Sequence, residues 1–303
     1  MQRRRGSSRP EDALKRQPLT RLPWWLASLS YLPLWILHGL AAILAGLAGS
    51  LLGYRRAIVE AQIRRCFPDW SAAQVLQTRR GFYRHFLDVM VESFKALTHT
   101  AQELDARMSI QGFEDARRYL DSGRSVVLVT AHTGNWEWAL QSVSLHVGHP
   151  TLAAYKPLHQ PFWDSVFLML RGRFGAQMAP DRRLLRQVLR GRGQPRLVAM
   201  VADQDPTLAA ARRSETFFGQ PTWFFMGPEL VCRTLDAPLM YAAVTRKGRG
   251  RYHLRIELLG DPRDLPGEGQ LLSRFVARVE RHVRERPADW LWGYRRWKKR
   301  GGS

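Results

Sequence analysis

The spacing of hydrophobic and polar positions divides the chain into a helical first part and an alternating second part. Residues 55–97 carry apolar side chains at helical spacing, with a break at Pro68 and a helix N-cap signal at Ser71. From about residue 110, continuous apolar runs alternate with amphipathic segments. This alternation is typical of an α/β fold, and it predicts a central, mostly parallel sheet flanked by helices.

The individual runs predict individual elements. The predicted strands are 125–131, 152–155, 177–179, 196–202, 215–218, 239–244 and 252–259. The predicted helices are 136–147, 161–174, 181–190, 227–235 and 271–284.

A long apolar segment near the N-terminus indicates a membrane helix. From Tyr31 to Leu52 the sequence has no Asp, Glu, Lys or Arg, and Trp24 and Trp25 precede it. A helix of this length spans about 33 Å, enough to cross the apolar core of a bilayer. The tryptophans are typical of anchors at the membrane surface. A buried hairpin of two short helices, or a segment lying along the interface, remains an alternative.

Changes of composition predict three regions. Residues 1–21 are expected to form a basic flexible tail, residues 22–54 a hydrophobic membrane-associated segment, and residues 55–303 an α/β catalytic domain.

The charge balance indicates an anionic partner. Lys and Arg number 47 against 26 Asp and Glu, which gives a net charge of +21. Nucleic acid and an anionic membrane both fit such a charge, but only the membrane explains the apolar segment. The arginines of 182–196 interleave with leucines, as in a solvated or headgroup-facing helix. The two cysteines, Cys66 and Cys232, have neither disulfide nor zinc spacing, so we expect them to be core residues.

Polar residues follow two of the predicted strands. His132 follows the strand at 125–131, and Asp203 and Gln204 follow the strand at 196–202. Because ligands bind beyond the carboxyl ends of parallel strands, we expect His132 and Asp203 to meet at one site.

The sharper chemical signal is the spacing His-x4-Glu formed by His132 and Glu137. A helix that starts between them can place the carboxylate against the imidazole, which then removes a proton from a hydroxyl. Gly134 leaves backbone N–H groups accessible for an oxyanion. The alternative is a histidine that merely satisfies a helix cap.

Four ordered blocks carry a family resemblance. They are VTAHTGNWEW at 129–138, YKPL at 155–158 with RGRFG at 171–175, DQD at 203–205 with FFGQP at 217–221, and WLWGYRRWK at 290–298. Together with the hydrophobic N-terminal segment, they make the chain similar to the bacterial late lipid A acyltransferase family over nearly its whole length.

The resemblance implies an acyltransferase at the inner membrane, with its catalytic domain facing the cytoplasm. It implies an acyl–acyl carrier protein thioester as donor, with acyl-CoA as the alternative, and a hydroxyl of a phosphorylated lipid A precursor as acceptor. By motif match His132 is the general base and Glu137 its orienting partner. The expected substrate-binding residues are Asn135, Arg171, Arg173, Asp203 and Gln204. No metal or cofactor is expected, because direct transfer from a thioester needs none.

Some alternatives stay open beside this resemblance. The acceptor can be another lipid, and each arginine can be an ordinary surface charge. The tryptophans and basic residues of 290–300 suit a membrane interface. Tyr294 stands where many family members carry a histidine, so it inherits no titrating role. A non-catalytic membrane protein and a nucleic-acid-binding module are the less favoured readings.

Overall fold

The computed structural model describes residues 22–47, 53–205 and 211–297. The predicted basic tail at 1–21 and the end of the apolar segment at 48–52 lie outside these residues. The helices are α1 (Trp24–Tyr31), α2 (Leu34–Gly46), α3 (Arg56–Cys66), α4 (Ala72–Lys95), α5 (Ala101–Asp105), α6 (Phe113–Asp121), α7 (Trp136–His146), α8 (Pro161–Gly172), α9 (Leu184–Arg190), α10 (Gly227–Leu235) and α11 (Gln270–Glu285). Short 3-10 helices lie at Asp181–Arg183 and Pro287–Asp289.

The strands are β1 (Met108–Gln111), β2 (Val126–Thr130), β3 (Thr151–Tyr155), β4 (Gln177–Pro180), β5 (Leu197–Val201), β6 (Arg212–Phe217), β7 (Gln220–Phe225), β8 (Leu239–Gly248) and β9 (Arg251–Gly260). Seven of them form one sheet in the order β1-β9-β8-β2-β5-β3-β4. Neighbours in this sheet are parallel except for the antiparallel pair β8 and β9. The predicted α/β class with a mostly parallel central sheet is therefore confirmed.

Both faces of the sheet are covered, which explains why its strands read as continuous apolar runs. On β2, Val127 and Val129 pack into a core with α9, α10 and α11. Their neighbours Val126 and Leu128 pack into a second core with α1, α2, α7 and α8. The two cores lie on opposite faces because successive side chains of a strand point in opposite directions.

The helix α4 begins where the sequence predicted it. Ser71 accepts a hydrogen bond from the backbone N–H of Gln74, and the Gln74 side chain accepts one from the backbone N–H of Ser71. This reciprocal capping box satisfies donors that the first helical turn otherwise leaves unpaired. Both cysteines are buried, as predicted.

The strands β6 and β7 form a separate antiparallel hairpin. Phe218 and Gly219 connect them with φ angles of 52° and 70°. Two consecutive positive φ angles match the twist of a two-residue hairpin turn. The sequence predicted only a strand at 215–218 in this region.

The apolar N-terminal segment folds as two helices with an angle of 107° between them. Leu32 is extended (φ −57°, ψ 143°) because the ring of Pro33 disfavours helical geometry in the residue before it. Within the described residues no single helix is long and apolar enough to cross a membrane, although the bent pair meets both criteria together. The predicted single membrane helix over 31–52 is therefore unconfirmed.

One side of this helical hairpin packs against α4, and the other side is exposed. Leu26 and Leu37 are buried, and the buried His38 Nε2 lies 2.8 Å from Glu92 Oε1 on α4. The exposed large side chains are Trp24, Trp25, Tyr31, Trp35, Leu40, Ile43, Leu44 and Leu47. The described part of the hairpin, residues 22–47, contains no charged residue on this surface.

Candidate active site

His132 and Asp203 meet at the carboxyl edge of the sheet. Thr130 pairs with Val201 at the ends of β2 and β5, so the residues that follow the two strands emerge side by side. His132 Nδ1 lies 2.6 Å from Asp203 Oδ1, and the His132 backbone N–H donates to Asp203 Oδ2 at 3.1 Å. The predicted meeting of these two residues is confirmed.

The Asp203 carboxylate is buried but remains ionised. Burial alone would raise its pKa, but the imidazole of His132 and a hydrogen bond from Trp290 Nε1 hold that pKa below its ordinary value. An ionised carboxylate only accepts hydrogen bonds, so the proton of the His132 ring resides on Nδ1. The lone pair of Nε2 is then free to accept, and Gln204 Nε2 lies 3.4 Å from it.

The structure corrects the expected position of Glu137. Its carboxylate accepts two hydrogen bonds from Arg171, Nε at 2.8 Å and Nη2 at 2.6 Å, and a third from Trp136 Nε1 at 3.2 Å. Because α7 begins at Trp136, Glu137 lies in its first turn and faces α8 rather than the imidazole. Asp203 takes the place on His132 Nδ1 that the His-x4-Glu spacing predicts for Glu137.

Arg171 reaches the site from the last turn of α8. Burial opposes its charge, but the Glu137 carboxylate outweighs that effect and raises the pKa of the guanidinium. Arg171 therefore places a fixed positive charge in the wall of the adjacent cavity.

Asn135 is a buried helix cap and does not reach the cavity. Its Oδ1 accepts a hydrogen bond from the backbone N–H of Trp138 at 2.9 Å, and its Nδ2 donates to Glu92 at 2.8 Å. The same Glu92 also accepts hydrogen bonds from Tyr252 and pairs with His38. The expected substrate contact of Asn135 is therefore replaced by a role in fixing the start of α7.

Arg173 also lies away from the cavity wall. Its guanidinium donates to the backbone oxygens of Leu97 and His99, which follow α4. Arg173 is expected to line the substrate site, but the structure directs its guanidinium to these backbone oxygens and it is not among the residues that line the cavity.

Gly134 permits a close backbone contact instead of offering a free donor. Its φ is 58°, and a Cβ at this position would lie 2.5 Å from the backbone oxygen of Val244. Its N–H donates to the backbone oxygen of Asp289 at 3.3 Å. The expectation that this N–H serves an oxyanion is corrected.

A cavity of about 450 Å³ opens beside His132. Its inner wall lies between α7 and the sheet and is formed by apolar side chains: Leu128, Ala139, Leu140, Val143, Ala153, Met178, Ala199 and Ala242. Polar residues lie nearer His132 and along the loop after β3: Gln204, Glu137, Arg171, Tyr155, Lys156 and His159. Small side chains at three sheet positions leave room for an unbranched apolar group.

Sequence reasoning missed the contribution of the C-terminal segment. Trp290 Nε1 donates a hydrogen bond to Asp203 Oδ2. Trp290 also forms a β-bridge with Thr133, and the next backbone N–H, that of Leu291, donates to the backbone oxygen of His132 at 3.1 Å. Trp290 and Trp292 are buried, so their expected place at a membrane interface is corrected. Residues 298–303 lie outside the described part of the chain. The dense spacing of aromatic residues at 290–297 is the signal in the sequence for this buried segment.

Comparison with known proteins matches the chain to a family and to a relative. Residues 23–299 match the family described as bacterial lipid A biosynthesis acyltransferase. A lipid A biosynthesis acyltransferase of Haemophilus influenzae is 24% identical over 140 residues, which cover 45% of this chain and 43% of that protein. The match with this relative thus spans less than half of its length. The family match covers nearly the whole chain and includes His132, Asp203 and Trp290, so the protein belongs to the bacterial lipid A biosynthesis acyltransferase family.

Proposed function

We propose that this protein transfers a fatty acyl group from a thioester donor to a hydroxyl of a lipid A precursor. The observation that carries the proposal is the His132–Asp203 pair, 2.6 Å apart, whose histidine lines a largely apolar cavity. A buried acid that fixes the tautomer of a histidine is the arrangement that general-base catalysis requires. An apolar cavity beside that histidine suits a fatty acyl chain.

In the proposed reaction His132 Nε2 removes the proton of the acceptor hydroxyl. The hydroxyl oxygen then attacks the thioester carbonyl, and an ester bond forms as the carbon–sulfur bond breaks. The leaving thiolate takes the proton back from His132 Nε2, so the products are an ester and a free thiol. Asp203 stabilises the imidazolium while it exists, because its carboxylate is already ionised and hydrogen-bonded to Nδ1.

Arg171 and Gln204 are the groups we assign to charge stabilisation. Both line the cavity beside His132, and the Arg171 guanidinium is held by the two oxygens of Glu137. A preorganised cation stabilises negative charge that develops on the carbonyl oxygen or stays on a phosphate. Glu137 then acts by positioning Arg171, and not by orienting His132.

We further propose the inner membrane, with the catalytic domain facing the cytoplasm, as the site of action. The uncharged exposed surface of α1 and α2 fits an apolar lipid phase. The net charge of +21 favours an anionic membrane, a phosphorylated acceptor and an acidic donor protein over a neutral partner. We propose acyl–acyl carrier protein as the donor, with acyl-CoA as the alternative. The proposed reaction involves neither nucleic acid nor a bound cofactor.

The experiment uses membranes that contain the wild type, His132→Ala or Asp203→Asn. Each is incubated with labelled acyl–acyl carrier protein and a tetraacylated lipid A precursor, and the lipids are analysed by mass. The expected result is a product one acyl chain heavier with the wild type alone. If the wild type acylates only another lipid, such as a lysophospholipid, the proposed reaction type stands and the proposed acceptor is wrong. Equal activity in His132→Ala would overturn the mechanism.

A further inference from the structure

Four arginines lie together on α9 and on the turn before it. Between Arg182 and Ala202 the sequence contains no Asp or Glu. We call the following exposed residues the α9 patch: Arg182, Arg183, Leu185, Arg186, Leu189 and Arg190. Among the described residues, no carboxylate forms an ion pair with any of these four guanidinium groups. By contrast, Arg233 on α10 and Arg284 on α11 each pair with a glutamate four residues earlier.

The patch combines its charge with exposed apolar area. Leu184 and Val188 face the core, and Leu185 and Leu189, each one position later, are 45% and 46% exposed. Arg186 and Arg190 follow on the next stripe of the same helix. An apolar stripe bordered by basic side chains is complementary to an amphipathic acidic helix of another protein.

The patch begins next to a residue that lines the cavity. Tyr155 pairs with Pro180 at the ends of β3 and β4, so the turn that carries Arg182 and Arg183 starts beside the cavity-lining Tyr155. The Tyr155 phenol has its pKa raised by burial, and the positive charges of Arg171 and Arg183 oppose that rise. A partner on the patch would therefore hold a group close to the cavity entrance.

The patch and the apolar hairpin belong to opposite faces of the sheet. Leu184 and Val188 of α9 pack in the core with α10 and α11, whereas Leu26 and Leu37 of the hairpin pack in the other core. If the hairpin faces lipid, the α9 patch lies away from that lipid. This separation favours a protein over membrane headgroups as the occupant.

We propose that the α9 patch is the docking surface for the acidic protein that carries the acyl thioester. The inference rests on the proposed function, and it assigns the donor side of the reaction to one surface. The arginines bind carboxylates of the carrier, the two leucines bind its apolar residues, and the acyl arm enters the cavity past Tyr155. The lipid acceptor then approaches from the side of α1 and α2.

The test compares two donors of the same acyl chain, acyl–acyl carrier protein and acyl-pantetheine, which has no protein part. For Arg186→Glu/Arg190→Glu, KM for the acyl carrier protein rises about tenfold or more. The kcat/KM for acyl-pantetheine stays within about twofold of wild type, since His132 and the cavity are unchanged. Leu185→Ser/Leu189→Ser gives the same selective effect without any change of charge.

The matched control is Arg281→Glu/Arg286→Glu, which makes the same charge change at exposed positions on and just beyond α11. It leaves KM for both donors unchanged, and the melting temperatures of all variants show whether each is folded. An equal loss of kcat/KM with both donors would overturn the proposed docking surface. So would an unchanged KM for acyl–acyl carrier protein combined with weaker binding of the variant to anionic vesicles. A wild type inactive with both donors would instead refute the proposed function itself.

Discussion

The Nδ1 proton of His132 is donated to Asp203, and not to the Glu137 that completes the His-x4-Glu spacing. Asp203 accepts this hydrogen bond at 2.6 Å and also accepts hydrogen bonds from Trp290 and the His132 backbone. The acid that supports the histidine therefore comes from the segment that follows the neighbouring strand β5. The acid of the motif serves a different residue, Arg171.

Replacement of Asp203 by Asn tests this arrangement most directly. An amide at this position can donate to Nδ1, which moves the ring proton to Nε2 and removes the base. We expect kcat to fall by roughly 10³- to 10⁴-fold with little change in KM, as for other histidines that lose their orienting acid. Steady-state kinetics with both substrates gives the answer.

Trp290→Phe is the graded control for that variant. It removes one hydrogen bond to Asp203 and leaves the carboxylate on His132. We expect a loss of roughly 10- to 150-fold in kcat, in line with about 1.5–3 kcal/mol for one hydrogen bond to a charged group. A larger loss of kcat in Trp290→Phe than in Asp203→Asn would contradict the conclusion that Asp203 itself, and not the indole that binds it, supports His132.

The Glu137–Arg171 pair is expected to show strong coupling in stability. Glu137 is 3% exposed at its side chain, so Arg171→Met leaves a buried carboxylate without its ion-pair partner and with only the Trp136 indole as a donor. We expect the free energy of unfolding to fall by roughly 3 kcal/mol, with much of the loss recovered in Arg171→Met/Glu137→Gln. Urea unfolding of the two single variants and the double variant measures the coupling.

The exposed pair Arg118–Asp115 on α6 provides the reference for this cycle. Arg118→Met should cost less than about 1 kcal/mol, because water already solvates both charges. If Arg171→Met costs no more than Arg118→Met, Glu137 does not depend on Arg171 for its burial.

Much of the fold could be predicted from the sequence because buried strands and amphipathic helices have different periods. The runs at 125–131 and 196–202 became β2 and β5, and their shared edge brought His132 and Asp203 together. The pairing of individual side chains is harder to predict from the sequence. Sequence spacing places Glu137 near His132, but the direction of the first turn of α7 decides which group Glu137 meets.

Elements fixed by distant contacts were also missed. Phe218 occupies a turn position with a φ of 52°, where glycine or asparagine would be expected, and its backbone N–H donates to Glu280 on α11. The partner strand β7 begins right after this turn. Similarly, nothing near Trp290 in sequence shows that its indole binds an acid more than 80 residues earlier.

The cavity wall predicts a change in acyl chain preference. Ala199 lies on β5 with its side chain in the apolar wall, and Ala199→Leu adds about three carbons there. We expect the preferred chain to shorten by about three methylenes. At about 0.8 kcal/mol per buried methylene, kcat/KM for the original chain should fall by roughly 30-fold or more. Competition between donors of different length measures the shift.

The control for this substitution is Ala73→Leu at an exposed position of α4. It adds the same side chain outside the cavity and should leave chain preference unchanged. If Ala199→Leu lowers kcat/KM equally for all chain lengths and also lowers the melting temperature, the substitution overpacks the core. That result would contradict the position of Ala199 in the wall of the acyl cavity.

Three buried histidines predict that mild acid destabilises the fold. Burial lowers the pKa of His99 and His282 to about 4 and that of His85 to about 3, against an ordinary value of 6.5. These side chains stay neutral in the folded protein, while the unfolded chain takes up protons below about pH 6.5. Their contribution to stability is complete above pH 6.5 and is lost as the pH falls toward 4.

Between about pH 6.5 and pH 4, each histidine is expected to lower the free energy of unfolding by up to about 1.4 kcal/mol per pH unit. His99 Nε2 lies 2.7 Å from Gln141 Oε1, and a glutamine amide can replace that donor, so His99→Gln should remain folded. Urea unfolding between pH 7.5 and 5 should show a shallower loss for His99→Gln than for the wild type. His159→Gln, at an exposed position, should keep the wild-type slope. Identical slopes in all three proteins would mean that His99 binds its proton equally well in the folded and unfolded states, which the burial of its ring and the nearby positive charge of Arg173 argue against.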